Sequence, residues 1–139
     1  HGFTVLLCVG ETAEDKEAGC MDDVLRIQLK TALHGLSPKC LSRLWVAYEP
    51  VWAIGENGVP ASREYAEARH NVLRETLCQL FGQRAAEAIP LLYGGSVNSE
   101  NAVGLIGMGH IDGLFIGRSA WDAKQFSAII RDVLDSVYR

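Results

Sequence analysis

The sequence predicts an α/β domain made of four consecutive β-α units, and two observations carry that prediction. Four short apolar runs, Val5 to Val9, Leu44 to Tyr48, Ile89 to Tyr93 and Ile111 to Ile116, have the hydrophobic character of strands buried in a parallel sheet. Each is followed by a Gly- or Pro-containing loop and then by a helix-like segment. Strands alternating with helices argue a parallel sheet with its helices outside. Four such units make either a small open doubly wound sheet or half of an eight-unit barrel, and periodicity does not choose between them.

The first helix is expected from Lys16 to His34, because Met21, Val24, Leu25, Leu29 and Leu33 fall near 3.6-residue spacing. A second begins after Ser62, a good N-cap, carries Ala66, Leu73, Leu77 and Leu80 on one stripe, and closes at Gly82. A short third helix follows Asn98 or Ser99 and reaches Ile106. The fourth, from Ala120 to Val137, shows Phe126, Ile129, Ile130, Val133, Leu134 and Val137 in an amphipathic pattern. No linker, low-complexity tract or charge block divides the chain, so residues 1–139 read as one domain.

The composition, 139 residues with 48% hydrophobic and 22% charged, is that of an ordinary soluble domain able to bury a core. A net charge of −4 with scattered basic residues leaves neither a nucleic-acid footprint nor a membrane-surface patch. No apolar run approaches the roughly 20 residues of a membrane span. The start, His1-Gly2-Phe3-Thr4, has no Met and no signal-peptide pattern, and reads as the inside of a longer protein. Cys8, Cys20, Cys40 and Cys78 lie at wide intervals, with no C-x-x-C pair and no His at metal-ligand spacing. They are read as reduced thiols of a cytoplasmic protein without a metal site, and Cys8, within a strand pattern, is expected in the core.

Chemistry concentrates in Ala47-Tyr48-Glu49-Pro50-Val51-Trp52-Ala53-Ile54-Gly55. Pro50 cannot donate to a sheet ladder, so the strand stops there and Glu49 sits at its C-terminal tip. That edge is where parallel α/β folds bind ligands and gather catalytic side chains. A carboxylate followed by a Pro/Trp/Gly hinge reads as a catalytic base with its lid, whereas an isolated Glu at a strand end would be a solvated surface residue. Two further turns tip the balance. Gly94-Gly95-Ser96-Val97-Asn98 follows Tyr93, and Gly117-Arg118-Ser119 follows Ile116. Strand-to-helix turns of this kind satisfy phosphate oxygens with backbone N–H groups.

These strings, together with Cys8-Val9-Gly10-Glu11 and Asp112-Gly113-Leu114-Phe115-Ile116-Gly117, resemble in order and spacing the C-terminal half of the triosephosphate isomerase family. The match runs across essentially the whole chain and implies strands five to eight, with their helices, of a TIM (β/α)8 barrel. The activity implied is that of a triosephosphate isomerase fragment, interconverting dihydroxyacetone phosphate and glyceraldehyde 3-phosphate in glycolysis and gluconeogenesis, with no cofactor. On this resemblance Glu49 is the base that moves a proton between two carbons through an enediol(ate). Pro50 to Ala61 is similar to the closing lid, with Trp52 as its stiff hinge, Gly55 offering an N–H to the phosphate, and Glu11 the open-state partner of the Trp52 indole. Ser96 adds another N–H, and Gly117 with Arg118 supplies the last pair. Arg74 and Asp112 correspond to a structural ion pair.

Two departures from the family pattern stand out. The usual lid tip reads Gly-Thr-Gly-Lys-Thr-Ala, but here it is Gly55-Glu56-Asn57-Gly58-Val59-Pro60-Ala61. Counted back from Ser62, Gly58 and Ala61 donate to Ser96 and Tyr93, the latches of a closed lid. Counted forward from Gly55, Pro60 falls at the second latch and has no N–H to give. Arg118 stands where a second Gly is usual, and its side chain either adds charge at the phosphate or points to solvent. Together these changes raise an alternative substrate, a slightly larger ketose phosphate such as a tetrulose phosphate. A further alternative is an inactive half-barrel that only binds sugar phosphate.

The family's early Asn-Lys pair and its His electrophile belong to the first four β-α units. His34, His70 and His110 have no strand-tip context and are expected at the surface or in caps, and His1 is the chain start. The chain alone is therefore expected to be inactive and to need the missing N-terminal half. The open edges of a half-barrel lead us to expect a homo-oligomer.

Overall fold

A computed structural model describes residues 2–55 and 58–138. Its four strands, β1 (Val5–Val9), β2 (Leu44–Tyr48), β3 (Leu91–Tyr93) and β4 (Gly113–Leu114), form one parallel sheet in the order of the chain. The register pairs Val5 with Leu44, Val46 with Leu91 and Leu92 with Gly113. The helices are α1 (Ala13–Glu17), α2 (Met21–Ala32), α3 (Arg63–Phe81), α4 (Gln83–Glu87), α5 (Ala102–Ile106) and α6 (Ala123–Val137). One face of the sheet, through Val9, Leu44, Val46, Tyr48, Leu91 and Tyr93, shares a buried core with Leu25 and Leu29 of α2, Leu73 and Leu77 of α3, Leu105 of α5 and Ile129 of α6. On the alternate positions Trp45 remains 43% exposed, and Cys8 is exposed. A doubly wound sheet reverses its strand order and carries helices on both faces. Consecutive order with a single covered face is instead a segment of barrel wall, which settles the choice that periodicity left open.

Local chemistry explains most boundaries. Ser62 caps α3 by accepting from the Tyr65 N–H at 3.1 Å, and Gly82 ends it at φ 82°. The expected first helix is in fact two, because Gly19 adopts φ 71° between α1 and α2. Thr12 caps α1 in a reciprocal box with Asp15. β3 is shorter than the apolar run beginning at Ile89, since Pro90 has no N–H, although its carbonyl still accepts from Val46 at 3.0 Å. β4 is likewise two residues long, yet the Asp112 and Phe115 N–H groups continue the ladder to Leu91 and Tyr93 at 2.9 and 2.8 Å. The third helix starts later than expected, after Asn101, because Asn98 and Asn101 close a side-chain-bonded turn first. A 3-10 turn, Arg118–Ala120, precedes α6.

Three placements correct the sequence reading. Cys8 is not in the core; it points to the uncovered face on edge strand β1. His70 is neither surface nor cap: it is fully buried, edge-on to Tyr48 at 5.5 Å between centroids, with Nδ1 donating to the Ala66 carbonyl at 2.8 Å. Burial lowers its pKa below the usual 6.5. Leu80, placed on the apolar stripe of α3, is 37% exposed. No helix among the described residues is long and apolar enough to cross a membrane.

Candidate active site

The C-terminal ends of β2, β3 and β4 open onto a cleft of about 820 Å³. Glu49 lines it together with Gly55, Gly58, Ser96, Gly117 and Arg118, residues drawn from three separate strand-end segments. Parallel strands bring their C-terminal ends to one edge, and Pro50 terminates β2 so that Glu49 emerges there. The Glu49 N–H is fixed to the Val9 carbonyl at 2.8 Å.

Glycines make room for that carboxylate. A Cβ at Gly10 would lie 1.8 Å from the Glu49 carbonyl oxygen, and one at Gly94 would lie 2.5 Å from Glu49 Cγ. Neither position tolerates a side chain without moving Glu49. The Gly-Gly pair was visible in the sequence as a turn signal, but its steric duty toward Glu49 was not. Cys8 adjoins the same carboxylate. Its thiol is pushed up to about 11, first by burial and then by hydrogen bonding to and the negative charge of Glu49.

Behind the cleft, Glu11 is a fully buried carboxylate that collects three donors. Trp52 Nε1 and the Tyr65 hydroxyl each donate to Oε1 at 2.9 Å, and the Tyr48 hydroxyl lies 2.9 and 3.0 Å from the two oxygens. Burial and then the Glu11 charge drive the Tyr48 pKa far upward, so this phenol is a fixed donor. Trp52, in the 3-10 turn Val51–Ala53, also stacks edge-on against Tyr65 at 5.5 Å and carries Lys16 Nζ 3.5 Å above its ring. The sequence suggested the Trp52–Glu11 pairing through resemblance; Tyr48, Tyr65 and Lys16 carried no comparable signal, since each is an ordinary strand or helix residue in sequence.

Ser96 adopts φ 34°, a left-handed conformation unusual for a residue other than glycine. Asn101 holds it there by donating to the Ser96 carbonyl at 3.0 Å, and the Ser96 hydroxyl donates to the Ala53 carbonyl. Gly58 does not meet Ser96 in this arrangement; its N–H points to the Gly55 carbonyl at 3.3 Å. Arg118 is exposed, and its guanidinium donates to that same Gly55 carbonyl. The Tyr93 hydroxyl is buried without a hydrogen-bond partner in bonding geometry. Burial raises its pKa to about 12, against an opposing influence of the Ala61 backbone. Of the expected lid, Glu56 and Asn57 lie outside the described residues.

Far from the cleft, Arg74 donates to Asp112 at 2.6 Å and to the Ile89 carbonyl at 2.8 Å, while Asp112 also accepts the Leu91 N–H at 2.7 Å. The pair therefore ties α3 to β3 and to the approach to β4. No cluster of three or more metal-ligating side chains occurs among the described residues.

Comparison with known proteins places this geometry. The family model described as triosephosphate isomerase matches residues 1–133. The chain is 44% identical over 140 residues to an L-erythrulose-1-phosphate isomerase of Rhizobium etli, covering 100% of this chain and 51% of the relative. It is 45% identical over 131 residues to a protein of the same name in Mycolicibacterium smegmatis, covering 94% and 47%. A triosephosphate isomerase of Lawsonia intracellularis is 42% identical over 130 residues, covering 94% and 51%. The chain spans about half the length of the curated relatives it matches. A one-sided parallel sheet, a carboxylate at a strand tip between two glycine turns, and a family match over residues 1–133 agree: the chain belongs to the triosephosphate isomerase family.

Proposed function

We propose that this chain supplies the base, the lid and the phosphate turns of a sugar-phosphate isomerase, and that the substrate is a tetrulose phosphate of the L-erythrulose 1-phosphate type. The observation that carries the reading is the single cleft into which Glu49, Ser96 and Gly117 open from three strand ends. In this reading Ser96 and the Gly117–Arg118 turn bind the phosphate with backbone N–H groups, and Gly55 adds one from the lid. Glu49 takes the proton from the carbon beside the substrate carbonyl and returns it to the neighbouring carbon, the carbonyl oxygen becoming the enediol(ate) oxygen in between.

Water exclusion is the lid's part. It strengthens the base and protects the enediol phosphate from losing its phosphate. Trp52, clamped by Glu11 and Tyr65, is the rigid hinge about which Pro50 to Ala61 moves, and Tyr93 with Ala61, and Ser96 with Gly58, are the latches of the closed state. The Tyr93 hydroxyl supports that assignment: it is buried, and the Ala61 backbone is near enough to act on its pKa.

The tetrulose reading is favoured over the triose by the names of the Rhizobium etli and Mycolicibacterium smegmatis relatives, and by Arg118 in the cleft wall. The electrophile and the remaining charge on the substrate are left to the complementary four β-α units, so this chain alone is inactive. Its uncovered face, with Phe3 76%, Val5 54% and Trp45 43% exposed, and its edge strands β1 and β4 support association with that half or with a second copy. Turnover of erythrulose 1-phosphate and dihydroxyacetone phosphate by the protein completed with those units tests the substrate. Preference for the tetrulose phosphate is expected, and a strong preference for the triose would sink the proposal.

A further inference from the structure

Gly10 is held from two sides at the level of Glu49. Toward β2, the carbonyls of its two neighbours are both taken: Val9 accepts the Glu49 N–H at 2.8 Å and Glu11 accepts the Val51 N–H at 2.9 Å. The N–H and the carbonyl of Gly10 itself serve neither bond. Both go to one side chain of α2, Gln28, whose Oε1 accepts the Gly10 N–H at 2.9 Å while its Nε2 donates to the Gly10 carbonyl at 3.0 Å.

An amide is the side chain this pairing demands. It presents an acceptor and a donor at its tip, as a peptide of a neighbouring strand would, whereas a carboxylate only accepts and an aliphatic chain does neither. The two bonds fix its orientation, because turning the amide over would set donor against donor and acceptor against acceptor. Leu25 and Leu29, on either side of Gln28 in α2, are fully buried, so the helix that carries the clamp is held in the core. Gln28 is not among the described residues that line the cleft.

Its reach to the cleft runs through Gly10. The Cβ that Gly10 lacks would lie 1.8 Å from the Glu49 carbonyl oxygen and 3.1 Å from the Pro50 nitrogen, so the Gly10 backbone lies directly against the peptide that leaves Glu49. Whatever displaces Gly10 displaces that peptide as well.

We propose that Gln28 is a positioning residue for proton transfer: by closing both backbone groups of Gly10 it fixes the surface against which Glu49 is set, and so aims the carboxylate at the carbon that loses its proton. The inference rests on reading Glu49 as the base, and it adds a residue outside the cleft whose loss is felt in kcat.

Steady-state kinetics of the barrel-completed protein test it, with the better turned over of erythrulose 1-phosphate and dihydroxyacetone phosphate. The variants are Gln28→Met, Gln28→Glu, Glu49→Gln and the Gln28→Met/Glu49→Gln pair, each assayed at a temperature where circular dichroism shows it folded. Gln28→Met keeps the length of the side chain and loses both bonds. Its kcat is expected to fall about tenfold with KM within about twofold, because the base moves and the phosphate turns do not. In the Glu49→Gln background the same change costs nothing further, since there is no base left to misplace. Gln28→Glu offers only acceptors at about pH 8 and regains a donor when protonated, so its kcat relative to wild type rises toward about pH 5. A wild-type kcat for Gln28→Met, an equal loss in both backgrounds, or a Gln28→Glu ratio that does not rise with acid overturns the positioning role and leaves Glu49 the base. A wild-type kcat for Glu49→Gln overturns the base and the inference together.

Discussion

The Trp52 indole N–H donates to Glu11 Oε1 at 2.9 Å, joining residues 41 positions apart, so that the turn after β2 is anchored to the loop after β1. Because Tyr48 and Tyr65 donate to the same buried carboxylate, Glu11 organises three aromatic side chains at once. Removing the acceptor and removing one donor should therefore have unequal effects. Trp52→Phe leaves Glu11 two donors and is expected to lower unfolding free energy by about 1 kcal/mol. Glu11→Ala strands three donors and is expected to cost about 3 kcal/mol or more. Urea denaturation of the two variants checks the order.

Gly94→Ala places a methyl group where Glu49 Cγ now lies, at 2.5 Å. Glu49 must then leave its present position. In the barrel-completed protein this variant is expected to lose about a hundredfold in kcat, since about 1 Å of misplacement costs that much, with a smaller rise in KM because Gly94 opens the turn that carries Ser96. Steady-state kinetics separate the two parameters.

Arg74→Ala removes the ion pair with exposed Asp112 and the donor to the Ile89 and Ala86 carbonyls. Two buried or half-buried acceptors are left short, which should cost about 2 kcal/mol. Thermal unfolding measures the loss. Phosphate binding by the folded fraction is expected to stay at the wild-type level, because no atom of the pair lines the cleft.

Cys8, on the uncovered face of the sheet, gives the chain a pH dependence in the alkaline range. Its native thiol holds its proton to about pH 11, whereas the ordinary value is 9.0. The raised pKa contributes stability that is fully present below pH 9.0 and declines as pH rises through that window. The same shift suppresses the thiolate, so Cys8, although exposed, should alkylate with iodoacetamide more slowly at about pH 8 in the folded chain than in the urea-unfolded one. Glu49→Gln removes the charge and speeds alkylation of Cys8 alone, which mass spectrometry of labelled peptides would show.

Particular residues show what was legible in the sequence and what was not. The Pro50 stop, the Ser62 cap and the Gly82 end act through neighbouring backbone, so local sequence placed β2 and α3 well. Glu49 was visible for the same reason, as a carboxylate directly after a strand. Gly19 carries no such signal, because a single glycine inside an amphipathic run leaves the period intact while its φ of 71° breaks the helix. The burial of Cys8 and His70 is not legible locally, because both depend on distant elements. Cys8 is exposed only because one face of the sheet is uncovered, and His70 is buried only because Tyr48 and Tyr93 come together on neighbouring strands. The Arg118–Gly55 contact is of the same kind, since nothing local to either residue specifies the other.

The central claim is that Glu49 is the proton-transferring base of a site this chain half supplies. Incorporation of solvent deuterium into the carbon skeleton of erythrulose 1-phosphate, followed by NMR, measures that transfer directly. With the complementary four β-α units present, incorporation is expected with Glu49, to fall about 10²–10⁴-fold with Glu49→Gln, and to be negligible with this chain alone. Undiminished incorporation by the Glu49→Gln protein would contradict the account.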